Sequence, residues 1–172
     1  MTRFNKTKNK VFLLVSVGAP GSGKSYFAER LCKEYSMAHL RSDEIRSYIF
    51  PNPTYTATEN GRLFELIDFL VDKFIALGVS VFYDANFTKR AFREKLRRVA
   101  KKHKASYSVV WVKTPINLAI ERAKKRKFHP VGEAVVRGIH NEIELPKNEP
   151  VISIDGTLPY NKQKLEFKKL LS

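Results

Sequence analysis

The chain is poor in acid and nearly free of cysteine. Its 172 residues hold 17 Asp or Glu against 32 Lys or Arg, a formal net charge of +15. Cys32 stands alone, which excludes an internal disulfide and agrees with a reducing compartment. It is expected to pack rather than to react. No apolar run approaches the length of a membrane span. Residues 1–10 form a basic, polar tail that leads straight into an apolar segment and carries no cleavage-type site. A cytoplasmic protein without a signal peptide is therefore expected. The four histidines, His39, His103, His129 and His140, lack metal-ligand spacing, and no Ser-His-Asp or paired-cysteine arrangement points to hydrolysis or redox chemistry. With no repeat, low-complexity tract or linker, the expectation is one domain over residues 1–172, large enough to bury roughly two thirds of its unfolded surface.

What the chain does have is Gly18-Ala19-Pro20-Gly21-Ser22-Gly23-Lys24-Ser25, which fits G-x-x-x-x-G-K-[ST] at every fixed position. An apolar, β-branched run of strand length (11–17) precedes it, and a helix-like segment follows. Glycines there let backbone N–H groups curl around an anion, and the helix N-terminus adds positive potential. Gly18, Gly21, Ser22 and Gly23 would form the cradle for a nucleoside triphosphate. Lys24 would reach the β- and γ-phosphates, and Ser25 would hold a bridging Mg²⁺.

The rest of the chain alternates. A helix is expected from about 23 to 34 and a short strand over 36–40. A small helix, capped by Ser42 or Asp43, runs through 47, and Pro51 and Pro53 make the next stretch a loop. Residues 59–77 form an amphipathic helix in which Leu63, Ile67, Leu70, Phe74 and Leu77 recur at steps of three and four, ended by Gly78. A buried strand over 79–83 delivers Asp84-Ala85-Asn86. Thr88 caps a helix to about 102, with Phe92, Leu96 and Val99 inward. A strand over 106–112 contains Trp111, and Pro115 opens a helix that Phe128-His129-Pro130 breaks. A helix over 132–145, a strand over 151–156 and a basic terminal helix over 161–170, with Leu165 inward, complete the chain. The order β-α-β-α-α-β-α-β-α-α-β-α implies a three-layer α/β domain with a mostly parallel five-stranded sheet, binding ligands beyond the C-terminal strand ends.

A phosphotransferase also needs a group to orient or deprotonate the acceptor and cations for transition-state charge. Asp43, after the second strand, is the candidate base. Arg46, one helical turn on, would pin a substrate phosphate or hold Asp43 ionised; otherwise the two are an N-cap and a surface arginine. Asp84 would act on Mg²⁺ or its waters, or simply form a turn, and the segment is equally consistent with Asn86 contacting substrate. Arg122 and Arg126, spaced i, i+4, read as lid arginines clamping phosphate or as a basic helix end, with a lid and following helix over about 122–145. Residues 88–128 hold fifteen Lys or Arg against two acids, a local +13. That suggests a polyanion such as nucleic acid as partner, against a solvated lysine-rich face.

In this order, the glycine-rich loop, Arg41-Ser42-Asp43-Glu44-Ile45-Arg46, Tyr83-Asp84-Ala85-Asn86 and Glu121-Arg122-Ala123-Lys124-Lys125-Arg126 resemble P-loop polynucleotide 5′-kinases, most of all the kinase modules of phage and bacterial RNA-repair enzymes. The resemblance covers residues 11–137. It implies ATP and Mg²⁺ at Lys24 and Ser25, Asp43 activating a 5′-hydroxyl of RNA or DNA, and Arg46 on the acceptor-side phosphate. It also implies lid roles for Arg122 and Arg126 and a strand-end role for Asp84. Tyr26 departs from the threonine common in relatives, and Lys127-Phe128-His129-Pro130 departs from their polar lid. The expected function is phosphoryl transfer to a nucleic-acid 5′-hydroxyl. The alternatives are a small-molecule hydroxyl kinase and a nucleotide-binding module that transfers nothing.

Overall fold

The computed structural model describes residues 10–127 and 130–169. Expectations for the N-terminal tail before Lys10, for Phe128 and His129, and for Leu170 lie outside them. The elements are β1 (Phe12–Val17), α1 (Lys24–Tyr35), β2 (Ala38–Arg41), α2 (Ser42–Ile49), α3 (Ala57–Ala76), β3 (Val81–Asp84), α4 (Arg90–Lys102), β4 (Ser106–Lys113), α5 (Ile116–Lys124), α6 (Glu133–Asn141), β5 (Val151–Asp155) and α7 (Tyr160–Lys168). The order is the one expected.

All the strand pairings among the described residues are parallel, in the sheet order β2-β3-β1-β4-β5. Central β1 is buried along its whole length, so it reads as a continuous apolar run. Its side chains alternate between faces. Leu13, Val15 and Val17 pack with α3 and α4 residues such as Leu63, Ile67 and Leu96. Phe12 and Leu14 pack with Phe27 and Leu31 of α1 and Phe167 of α7. A smaller cluster of Ala19, Ile120, Ala123 and Val136 joins the glycine-rich loop to α5 and α6. Every strand ends at the same edge, where the loop, Asp43 and Asp84 gather. Among the described residues no helix is long and apolar enough to cross a membrane.

Several local expectations shift, each for a physical reason. Ser36 is not strand but the left-handed cap of α1, its N–H bonded to the Cys32 carbonyl. Neither Ser42 nor Asp43 caps α2; the cap position falls on Arg41, with no side-chain bond. Helix α3 starts two residues early because Thr56 caps it, its hydroxyl accepting from Glu59 N. Thr88 does not cap α4; its carbonyl instead accepts from Glu144 N and from Arg93. On α4, Phe92 is 60% exposed while Arg93 is completely buried, and on α7 Leu165 is 54% exposed while Phe167 fills the core.

Chain direction also decides where the basic segment lies. Helix α4 returns the chain to the strands' N-terminal edge, where Ser106 N bonds Val11 O. Exposed Arg98, Lys101 and Lys104 therefore sit at the edge opposite the glycine-rich loop. Several other cations of the segment meet acids, as in Lys95–Asp68 at 2.6 Å, Lys102–Asp72 at 2.9 Å and Lys124–Glu133 at 3.2 Å.

Phe167 meets Phe12 and Tyr35 edge-on, with centroids 6.0 and 5.1 Å apart. Phe167→Ala should lower stability by about 3–5 kcal/mol, and Leu165→Ala by no more than about 0.5 kcal/mol. Urea denaturation of both variants checks this; equal losses would contradict the placement of α7.

Candidate active site

The glycine-rich loop turns between β1 and α1 with left-handed backbone at Gly18, Gly21 and Gly23. Gly21 is under a second constraint, because any Cβ there would collide with the Ala119 carbonyl of α5. Gly156, after β5, is held the same way, since a Cβ would strike the Ser22 carbonyl and the Thr114 hydroxyl. Thr114 Oγ1 donates to Ser22 O at 2.8 Å, and Arg122 Nη1 donates to Gly156 O at 2.8 Å. Loop, α5 and the β5–α7 turn thus meet backbone to backbone.

Lys24 is buried, and its ammonium donates to Gly18 O at 2.8 Å and Ala19 O at 3.1 Å. Burial, with a smaller contribution from Arg126, lowers its pKa to about 8 against the opposing pull of Asp84 and Asp43. The Ser22 hydroxyl is buried without a partner. A cradle closed to side chains at Gly21, a tethered ammonium and an unpaired hydroxyl fit the phosphates of a nucleotide.

Asp84, the last residue of β3, is buried. Ser16 Oγ lies 3.2 Å from Asp84 Oδ1 and His39 Nε2 lies 3.3 Å from Oδ2, while Ser25 also hydrogen-bonds the carboxylate. Burial opposes its charge, but His39 and Lys24 outweigh that and hold its pKa below the usual carboxylate range. Among the described residues no group of three or more His, Cys, Asp or Glu surrounds a metal position. Ser25 and Asp84 fit Mg²⁺, a hard ion bound through one or two protein oxygens plus phosphates and water.

Two cavities open here. The first, about 970 Å³, is lined by the loop, by Tyr26, by Arg122, Arg126 and Lys127, and by residues 156–159. The second, about 600 Å³, lies between α2, α3 and α6, where Tyr55, Asn60, Phe64, Asn86, Val135 and Ile139 line it. Exposed Asp43 borders both. Arg46 lines the second but does not hold Asp43. Instead its Nη1 pairs with Glu59 Oε1, its Nη2 donates to Asn60 Oδ1 at 2.6 Å, and its guanidinium covers the Tyr55 ring at 4.5 Å. The turn from α2 to α3 brings that acid closer than Asp43, so Arg46 is a buried ion-pair member and not a surface arginine. The i, i+4 spacing of Arg122 and Arg126 also does not lie on one helix. Helix α5 stops at Lys124, its end closed by Lys125 and Val131 N–H bonds to Glu121 and Ala123 carbonyls, and Arg126 follows in the loop. Both arginines nonetheless line the first cavity.

Tyr55, legible from the sequence together with Tyr48 and Phe50 as an aromatic near the acceptor side, does line the second cavity, whereas Glu59, Asn60 and the α6 wall escaped the sequence pattern. Thr56 followed three residues later by Glu59 is the pattern of a capping box, which would have located the start of α3. Here Glu59 turns aside to accept from Thr54 N at 2.6 Å and Thr54 Oγ1 at 2.8 Å.

Residues 13–146 match the family model described as AAA domain. The chain belongs to this AAA domain family. Its fold is that of P-loop kinases. The M. tuberculosis APS kinase CysC, solved with AMPPNP and APS, superposes on it with a TM-score of 0.72 at 20% identity, over 94% of this chain and 98% of that one. A chain of the Pnkp1/Rnl/Hen1 RNA repair complex gives 0.68 at 22% identity, over 81% and 46%. Among curated proteins, the L-seryl-tRNA(Sec) kinase of Methanococcus maripaludis is 21% identical over 170 residues, 93% of this chain. The AAA domain chain spans only 63% of that relative's length.

Only the ammonium form of Lys24 attracts phosphate. Burial favours the neutral amine in the free protein, so nucleotide binding above about pH 8 takes up a proton. Affinity for an ATP analogue, measured calorimetrically without divalent metal, should be steady below about pH 8 and weaken as pH rises through it. A flat profile across that window would contradict this titration.

Proposed function

We propose that the chain is an ATP-dependent kinase whose acceptor is the hydroxyl of a small molecule seated in the second cavity. The observation that carries this reading is a shared wall: Lys24, Ser25, Arg41, Asp43 and Arg126 line both cavities, so a γ-phosphate in the first faces a hydroxyl in the second. The second cavity falls within the ~300–1,000 Å³ usual for small-molecule sites; Phe64, Val131, Val135 and Ile139 give it one apolar wall, and charged Lys24, Arg41, Asp43, Arg46, Asp84 and Arg126 line much of the rest. Asp43 takes the proton of the acceptor hydroxyl as its oxygen bonds the γ-phosphorus. The bond to the β–γ bridging oxygen breaks, and ADP leaves with the electron pair. Lys24 holds the phosphates, Arg126 meets the charge that develops between the cavities, and Arg122 supports the nucleotide side. Mg²⁺, when bound at Ser25 and Asp84, would neutralise phosphate charge.

A second reading, transfer to a nucleic-acid 5′-hydroxyl, draws support from half-exposed Tyr55 at the acceptor wall, a surface on which a terminal base can stack. The fold shared with the RNA repair chain is consistent with it. The Methanococcus relative is named for a kinase of a seryl group borne on tRNA, a hydroxyl carried by RNA. Against a polynucleotide, exposed Arg98, Lys101 and Lys104 lie at the far edge of the sheet, and Lys95 and Lys102 are paired with acids.

Labelled ATP and Mg²⁺ should be incubated with a panel of sugars, nucleosides and amino alcohols, and in parallel with 5′-hydroxyl RNA and DNA oligonucleotides. Label should pass to a small acceptor with little salt dependence. Label on oligonucleotides alone, lost steeply as salt rises, would replace the first reading with the second.

A further inference from the structure

Helix α4 carries a guanidinium that the proposed reaction does not use. Arg93 is fully buried. Its Nε lies 3.2 and 3.0 Å from the two Glu149 oxygens, and its Nη2 donates to Glu149 Oε1 at 2.8 Å and to Glu144 O at 2.9 Å. Its Nη1 donates to Phe87 O at 3.0 Å and Thr88 O at 3.1 Å. Every N–H of the planar fork is therefore engaged. The Glu149 side chain is equally buried. Beside this pair, Glu144 N donates to Thr88 O at 2.9 Å, and Glu144 Oε2 accepts from Arg90 N at 2.8 Å.

Arg93 thus joins two segments that share no sequence neighbourhood. One is the turn after β3, in which Asn86 lines the acceptor cavity and adjacent Phe87 packs edge-on against Tyr83 at 4.7 Å. The other is the connector after α6, the helix that brings Val135 and Ile139 to the same cavity. Arg93 itself does not line that cavity. A buried ion pair adds little stability over a packed apolar pair, so its value lies in the geometry it enforces. Lysine has no fork to reach a carboxylate and three carbonyls together.

We propose that the Arg93–Glu149 pair is a positioning device for the acceptor cavity: it fixes the Asn86 turn against the exit of α6 and so sets the width of the pocket. This rests on the reading of the second cavity as the acceptor site. Arg93→Lys and Glu149→Gln test it in the full chain. Hydrogen exchange of residues 86–90 and 133–145 should rise about tenfold or more, as expected when local hydrogen bonds are lost, while β1 and α1 keep their protection. Affinity for a non-hydrolysable ATP analogue should stay within about twofold, and with the small acceptor found by the labelling panel, KM should rise about tenfold with a smaller change in kcat. An exchange increase spread through β1 and α1, or nucleotide affinity falling as far as acceptor affinity, would make Arg93 an ordinary structural residue and overturn the proposal. If the single variants do not fold, the Arg93→Met/Glu149→Met double variant, apolar and of similar reach, carries the same readouts. If no small acceptor is labelled, the acceptor reading fails by itself, and unchanged exchange in the two segments still refutes the clasp while a selective rise still supports it.

Discussion

The site depends on a contact that leaves no room for side chains. The glycine-rich loop lies so close to α5 and to the β5–α7 turn that a Cβ at Gly21 or Gly156 would meet backbone oxygen. Protein interiors are too densely packed to absorb such a collision without displacing an element. The loop position therefore dictates the position of α5. Through α5 it dictates Arg122, bonded to the Gly156 carbonyl, and Arg126 just beyond the helix end. The cations that face a nucleotide are delivered by backbone packing across the sheet.

The second cavity is organised differently. Two buried ion pairs frame it, Arg46 with Glu59 between α2 and α3, and Arg93 with Glu149 between α4 and the connector before β5. Each takes charge out of water, which is costly unless the remaining donors find partners. Arg93 satisfies all of its donors. Arg46 leaves its Nε without one. That unpaired donor is a buried atom of a residue that lines the second cavity.

Much of this was legible in the residues. The glycine loop between an apolar run and a helix located the first cavity, and the alternation of strands and helices gave the sheet its parallel character. The positions of Asp43 and Asp84 were legible because each follows or closes a strand, and ligands in such sheets bind beyond the strand ends. The partners of the arginines were not. Arg46 and Arg93 lie in stretches of strong charge where an arginine reads as surface, and their acids stand 13 and 56 residues away. Periodicity reports which face of a helix is apolar; it is blind to a long-range ion pair that turns a charged residue inward. The same displacement exposes Phe92 beside buried Arg93. The α6 wall of the second cavity was hidden too, because Val135 and Ile139 read as ordinary apolar helix positions.

Asp43 borders both cavities, and in the proposed reaction its removal would separate binding from transfer. The decisive measurement is single-turnover transfer of labelled γ-phosphate by Asp43→Asn, alongside its affinity for a non-hydrolysable ATP analogue. With Asp43 as the base between the cavities, transfer should fall by about 10²–10⁴-fold, the usual contribution of a general base, while nucleotide affinity stays nearly intact. Transfer that survives at the rate of the unaltered chain would contradict that role for Asp43, and with it the meeting of the two halves at this residue.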